Sequence, residues 1–565
     1  MSLSESGLAQ SRSIAWGRHR QECLHALRNI PYGPEWRDAA LAELDEATRL
    51  VTDLRSTYNS YAPILRLPNE ILALVFVILQ SIWEPRHATN LGWLNATFVC
   101  RSWRLAALRM ASLWTRPPLH LGKEWTRTFL ELARSLPISL DILARGTIQY
   151  NDMAFETLLS LKDYFETSSC SHVRWLNLSL DWDGAEWNAY MLPPSLFAPL
   201  WSLTLSHWLL LKGGARFWDC LPSTLQELVL LGIPSDCEEE PGAETITGLI
   251  PLLSRSTRLS KLVIYHSFLD ILELPERLDL PALRDLTIGA TSQDCLRLLK
   301  ALDNPCEIQK LALEFGHWDP GDIDGILQFM QQSSVTTTEK PFTSLGIGRV
   351  GDFFVVAANR ESNPADAIER MFRVKSALLE SEVIQDISLC IEMQDVGSSL
   401  DSYLCLIPSL HPLGFSCVRT LHIHNILLPT KRTLCHLGAM RAVEEMCLAG
   451  PGMHTVLVAL GRSVNAEQEE GHFPKLARKA ADLIFPRLRR LRVERVDFGV
   501  LCEDAYCLAA TVAQTFGLAL VVRAPLGSAI QTMHLVKCVV GETDLELWAQ
   551  AMEVTMDGCP VERRE

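Results

Sequence analysis

Apolar residues change their spacing from one region of this chain to the next, and each spacing predicts a different element. Residues 1–33 carry no clear pattern and break off at Pro31-Tyr32-Gly33-Pro34. Over 34–61 the spacing alternates between four and three: Ala40, Leu44, Ala47, Val51, Leu54, Tyr58 and Tyr61 form a heptad seam, which predicts an amphipathic helix. Such a seam packs on a neighbour in its own chain or on a second copy. Its short length and two alanines make a weak zipper, which favours the neighbour. Beyond Ala62-Pro63 the pattern fills in. Leu67-Pro68-Asn69-Glu70-Ile71-Leu72 runs into Leu74, Val75, Phe76, Ile78 and Leu79, apolar almost all the way round a helical wheel. Pro68 suits a first helical turn, where its missing N–H costs nothing. A helix apolar all round is buried on more than one side. A second helix follows, with Val99, Trp103 and Ala106 or Ala107 at i, i+4 spacing, then Leu113-Trp114. So short a segment cannot cover that much apolar surface alone, and another polypeptide is expected on the leftover face.

After Pro117-Pro118, residues 124–136 read as a helix and 137–142 as a strand. One template then recurs, apolar-x-x-apolar-x-apolar, about twelve times from Val173-Leu176-Leu178 to Ile530-Met533-Leu535, at spacings of about 24 to 45 residues. The copies include Leu225-Leu228-Leu230, Leu259-Leu262-Ile264, Phe342-Leu345-Ile347, Ile384-Ile387-Leu389 and Val418-Leu421-Ile423. Short helical patterns intervene, such as Cys295 to Leu302 and Ile323 to Met330. One strand and one helix cannot bury their own apolar face, but a stack of such units can. The fold class expected is therefore α/β. An N-terminal helical module is followed over 124–545 by an irregular right-handed solenoid with a curved parallel sheet, and residues 546–565 form a tail. Uneven spacing places loops between units, above all at 234–241 and 461–474. Several copies carry a charge just before the second apolar position: Glu227, Lys261, Asp285, Lys310, Glu445 and Arg490.

The ordered landmarks over 62–115 resemble an F-box: Leu67-Pro68, Glu70-Ile71-Leu72, Val75-Phe76, Val99-Cys100, Trp103-Arg104 and Leu113-Trp114. The stretch between Phe76 and Val99, with Trp83-Glu84-Pro85, is longer than in compact members and implies a loop or extra turn. The repeats resemble, more loosely, the leucine-rich repeats that follow the F-box in a major subclass of that family. The Asn or Cys of that repeat is mostly replaced here, by Asp181, Ile233, Thr291, Gly316, Glu392 and Val496, with Cys538 as an exception. Without that ladder the turns must be held in another way. The resemblance implies a substrate-recognition subunit of a cullin–RING (SCF-type) ubiquitin ligase. A Skp-type adaptor would dock on Leu67, Pro68, Ile71, Leu72, Val75, Phe76, Val99 and Trp103, some of which belong to the core. A target protein of unknown identity would bind the solenoid. The alternatives are a repeat scaffold that never joins a ligase, and an enzyme or metal protein whose site is assembled from distant residues.

Composition narrows the picture further. The chain of 565 residues is 48% hydrophobic and 21% charged, which fits a folded chain of several domains or one elongated repeat domain. Its net charge of −15 argues against a general role on nucleic acid or an anionic membrane. Sixteen cysteines without a CxxC, many in apolar runs such as those around Cys390 and Cys405, read as small buried hydrophobes, and with a polar N-terminus they place the chain in the cytoplasm or nucleus. No phosphate loop, nucleophile elbow or HExxH is found, so neither enzyme activity nor a cofactor is expected. Asp319-Pro320-Gly321-Asp322 reads as a surface turn. His422 and His424 flank Ile423 and share one strand face, but no third metal ligand can be named, so no metal is expected. Side chains between the apolar strand positions should line the concave face, which offers Tyr265, Glu314, His422, His424, Arg492, Glu494 and His534 to a target.

Overall fold

A computed structural model describes residues 5–61, 63, 67–87, 89–141, 156–157, 159–162, 172–179, 194–206, 214–232, 248–265, 274–303, 307–333, 341–350, 353–360, 368, 370–372, 387–394, 413, 415–425, 437, 440–463, 477–501, 510–559 and 561–562. The loop expected at 234–241, most of that at 461–474, Ile384 and Cys405 lie outside these. The chain divides into two compact units, residues 1–138 and 139–565.

The first unit is helical. Helix α1 (Glu5–Arg28) occupies the stretch where no pattern was read, because it has no apolar stripe. Helix α2 (Pro34–Ser60) carries the heptad seam. Among the described residues its seam is open from Leu44 onward: Leu44, Val51, Leu54, Tyr58 and Tyr61 are all exposed, Tyr58 at 81%. Helices α3 (Asn69–Ile82), α4 (Arg101–Arg109) and α5 (Lys123–Ala133) follow. The solenoid was expected to begin at 124, but α5 belongs to this first unit, since Phe129 packs on Trp93 and Trp114.

The second unit is a long sheet with short helices. Its strands are β1 (Ile138–Asp141), β2 (Val173–Ser179), β3 (Ser202–Ser206), β4 (Glu227–Leu231), β5 (Lys261–Tyr265), β6 (Asp285–Ala290), β7 (Lys310–Phe315), β8 (Ser344–Val350), β9 (Phe353–Asn359), β10 (Leu389–Gln394), β11 (Thr420–His424), β12 (Glu445–Ala449), β13 (Arg490–Glu494), β14 (Thr532–Val536) and β16 (Glu553–Asp557). A small pair, β15 (Val540–Gly541) with β17 (Val561–Glu562), stands apart. The sheet continues through β16, so it does not stop at 545 as the expected tail required. Strands follow chain order except in the middle, where the order is β7-β10-β9-β8-β11 and β9 runs antiparallel to both neighbours. The sheet is parallel as expected except at β9.

A template that ends inside a strand lays its last two apolar residues on one face. Leu203, Leu205, Leu228, Leu230, Leu262, Leu286 and Leu313 are fully buried there. Among the helices, α9 (Ser292–Ala301) packs on α10 (Pro320–Gln332), and α12 (Val512–Arg523) packs on both α11 (His454–Ala459) and α13 (Glu542–Ala549); the shorter α6 (Pro194–Phe197), α7 (Gly214–Cys220) and α8 (Leu249–Arg255) precede them. The turn read at Asp319 is the N-cap of α10: its carboxylate accepts the Gly321 N–H at 2.7 Å.

A recurring main-chain device ties each unit to the one before it at the strand entry. The N–H groups at a strand's entry donate in pairs to one carbonyl of the preceding unit: Gln226 and Glu227 to Trp201, Ser260 and Lys261 to Gln226, Arg284 and Asp285 to Ser260, Gln309 and Lys310 to Arg284, at 2.7–3.0 Å. The same pairing recurs from Thr343 to Arg419 and on to Glu444 and Arg489. The charges noted before the second apolar position fall in register as a ladder of alternating sign, Glu227, Lys261, Asp285, Lys310. Farther on, Glu445 and Arg490 are ion-paired. At the far end Arg523, fully buried, donates to the carbonyls of Leu460, Ile484, Phe485 and Ser528 at 2.7–3.0 Å, and burial pulls its pKa down to about 10.

Candidate functional site

Two surfaces are candidates for a functional site, one in each unit. In the first unit, α3 begins at Pro68, whose carbonyl accepts the N–H groups of Ile71 and Leu72. Leu72 and Phe76, four residues apart, point into the core at 2% and 0% exposure. The Phe76 ring meets Trp103 edge-on, with centroids 5.6 Å apart. Trp103 and Ala107 bury the matching face of α4. The Ala107 carbonyl accepts the Trp114 indole N–H at 2.9 Å, and Trp93, Trp114 and Phe129 form a triangle of rings. The long stretch after Phe76 folds back at once. Trp93 N–H donates to the Trp83 carbonyl at 2.7 Å, and Gly92 turns at φ +55, where a Cβ would lie 2.5 Å from Glu84.

With one face of α3 committed to this core, the other is left bare. Ile71, Leu74, Ile78 and Ile82 form a stripe of i, i+3, i+4 spacing at 42%, 59%, 57% and 73% exposure. Val77 beside it, and Phe98 and Val99 ahead of α4, are also exposed. The eight residues expected to meet an adaptor are thereby divided. Pro68, Ile71 and Val99 stand on the surface, and Leu67 and Val75 are half-buried. Leu72, Phe76 and Trp103 are core, so a direct adaptor contact for these three is withdrawn. Leu74, Val77, Ile78 and Phe98 were not singled out, although the α3 periodicity contained the first three once the buried face was known.

In the second unit, side chains between the apolar strand positions share the other sheet face. Along its middle this face is covered. Ile368, Met371 and Phe372 pack there with Ala312, Val355, Ala357 and Cys390. Phe372 stacks on His424 at 4.3 Å, and a Cβ on Gly346 would come within 2.6 Å of Ile368. Tyr265 lies across Gly289 and donates its hydroxyl to the Glu314 carboxylate. Tyr265, Glu314 and His424, expected on an open recognition face, are therefore buried at 4–5% exposure. His422, at 3%, is buried as well.

The last five strands of the sheet border a cleft of about 380 Å³. Register sets one row across it: His422, Cys447, Arg492, His534, Thr555. His534 Nδ1 is 2.8 Å from the Thr555 hydroxyl, and the Arg492 guanidinium donates to Glu494 at 2.5 Å. Burial, reinforced by the charge of Arg492, holds the His422 imidazole down at a pKa of about 4. His422, His424 and Cys447 bring their ligand atoms within 4.8 Å of one another. Cys447 is a third candidate donor, which the sequence reading did not name. Its position inside Met446-Cys447-Leu448 is the one that His422 holds inside Leu421-His422-Ile423, so an alignment of the templates would have found it.

Residues 64–120 match the model of the F-box-like family. The match begins ahead of α3 and ends just before α5. No curated protein matches the chain. Among the described residues, no helix is long and apolar enough to cross a membrane.

Proposed function

We propose that the protein is the substrate-recognition subunit of an SCF-type ubiquitin ligase, docking a Skp-type adaptor on the bare face of α3 and a target protein on the sheet unit. The observation that carries this reading is the stripe Ile71, Leu74, Ile78, Ile82, standing in solvent inside the F-box-like match. An apolar stripe beside an already complete core is a binding face in want of a partner. The helix-in-groove mode reads such i, i+3, i+4 anchors. Target recognition rests on the cleft at the C-terminal end of the sheet, where His422, Arg492 and His534 line a rigid floor. The protein itself makes and breaks no bond. It raises the local concentration of the target near the ubiquitin-charged enzyme.

The test is co-purification of the full chain with a Skp-type adaptor and a cullin, beside the double variant Leu74→Glu, Ile78→Glu. Both side chains are exposed, so the variant keeps the core. The expected result is a stable wild-type complex and at least a 100-fold weaker one for the variant. A folded wild type that ignores the adaptor overturns the reading. Adaptor binding without cullin recruitment leaves a scaffold instead of a ligase subunit.

A further inference from the structure

We propose that His422, His424 and Cys447 form a binding site for a borderline-soft divalent metal ion of the zinc class, opening on the cleft of the sheet unit. The inference does not rest on adaptor docking. It starts from the environment of His422. That ring is 3% exposed, and neither of its nitrogens has a hydrogen-bond partner among the described residues. Burying an imidazole without a partner costs free energy, and a metal ion is the partner that a cluster of this composition supplies. The other two donors are placed by the sheet itself. His424 follows on the same face of β11, and parallel register sets Cys447 of β12 directly beside His422. All three are buried, with ligand atoms within 4.8 Å of one another. Small side-chain rotations draw such a set to the roughly 3.5 Å donor spacing of a tetrahedral ion.

The donor chemistry selects the metal. Two imidazoles and one thiolate suit zinc and its neighbours, whereas calcium and magnesium want oxygen. Three protein ligands leave one tetrahedral position. His422 and Cys447 line the cleft and His424 does not, because Phe372 stacks on it. The fourth position thus faces the cleft, where water or a donor from a bound protein completes the shell. On binding, Cys447 gives its thiol proton to solvent and the metal takes the thiolate lone pair. Arg492, beside Cys447 in register, has its charge met by Glu494.

Cobalt(II) serves as the probe, added to the purified full chain under reducing conditions. The expected result is one equivalent bound, with the intense d–d absorption of a tetrahedral site and a thiolate-to-cobalt charge-transfer band, both displaced by zinc. Cys447→Ser abolishes the charge-transfer band, and His422→Ala weakens binding at least about 100-fold. His534→Ala, in the same cleft but outside the cluster, stays within about 2-fold of wild type. A wild type without the thiolate band overturns the proposal, as does a band that survives Cys447→Ser. Because a variant in the core of the sheet can lose its fold, X-ray absorption on the zinc-loaded wild type gives an independent reading. One sulfur and two imidazole nitrogens are expected, and a shell without sulfur or with two sulfurs overturns the site.

Discussion

The F-box-like module and the sheet unit depart from the usual partition of side chains in opposite directions. In the module, Leu74, Ile78, Ile82 and Phe98 stand in solvent around a core that Leu72, Phe76, Trp103 and Trp114 already close. In the sheet unit, Glu314, Glu392, His422, His424 and Arg523 lie inside, at 5% exposure or less. A small helical module has too little interior to hide all its apolar residues, so the excess stays in solvent as the face proposed for a partner. A long sheet has interior to spare, and covering its second face encloses polar groups that must then find partners. Exposed apolar residues in one unit and enclosed polar residues in the other thus point to binding for different reasons.

Substitutions can break or sharpen that contrast. Phe76→Ala removes a ring from the module core and should cost about 3–5 kcal/mol in denaturant unfolding. Arg523→Met leaves four carbonyls of the sheet unit without their donor and should cost roughly 3–5 kcal/mol. An unaffected midpoint would mean that the buried guanidinium adds nothing. Tyr265→Phe strips the hydroxyl from Glu314 and should cost about 1–3 kcal/mol, read in the same way. Asp285 has a smaller effect with a distinctive pH dependence. Burial pushes its carboxyl above the ordinary 3.8, against the pull of Lys261 and Lys310. A raised folded pKa gives stability that is present below the unfolded value and lost as pH rises through the folded one. Asp285→Asn should therefore melt no lower than wild type at pH 7, any gain disappearing below about pH 4 in a thermal scan. Smallest of all, Leu74→Ala should leave the module within about 0.5 kcal/mol of wild type, in contrast to Phe76→Ala two residues away.

Alternation along the chain made most of the sheet legible. Eleven of the repeat templates end inside a strand that carries both of their last two apolar residues, from Leu176-Leu178 in β2 to Met533-Leu535 in β14. The strand β9 was missed because Phe353-Phe354-Val355-Val356-Ala357-Ala358 is apolar throughout. It is covered on both faces, and a strand covered on both sides loses its period of two. β16, an edge strand spelled Glu-Val-Thr-Met-Asp, lacks the leucines of the template. In the module, the residues were identified but their roles were not. Spacing showed α3 apolar all round and could not say which stripe would face Trp103. Tyr265 and Glu314 sat on the face expected, yet they pair with each other across Gly289, a contact between strands that no local pattern records.

The reversed order β7-β10-β9-β8-β11 has a consequence for how the sheet forms. A stack that grows one strand at a time cannot pass this point. The chain leaves β7, lays down β8 three strand spacings farther out, about 14 Å, turns back through β9, and only then fills the remaining gap with β10. Until β10 arrives, no strand pairing among the described residues links the strands before it to those after it. The sheet should therefore fold as two separate nuclei with β10 as the closing step, and refolding should show a slow phase that mutations in β10 lengthen while those in β3 or β13 do not.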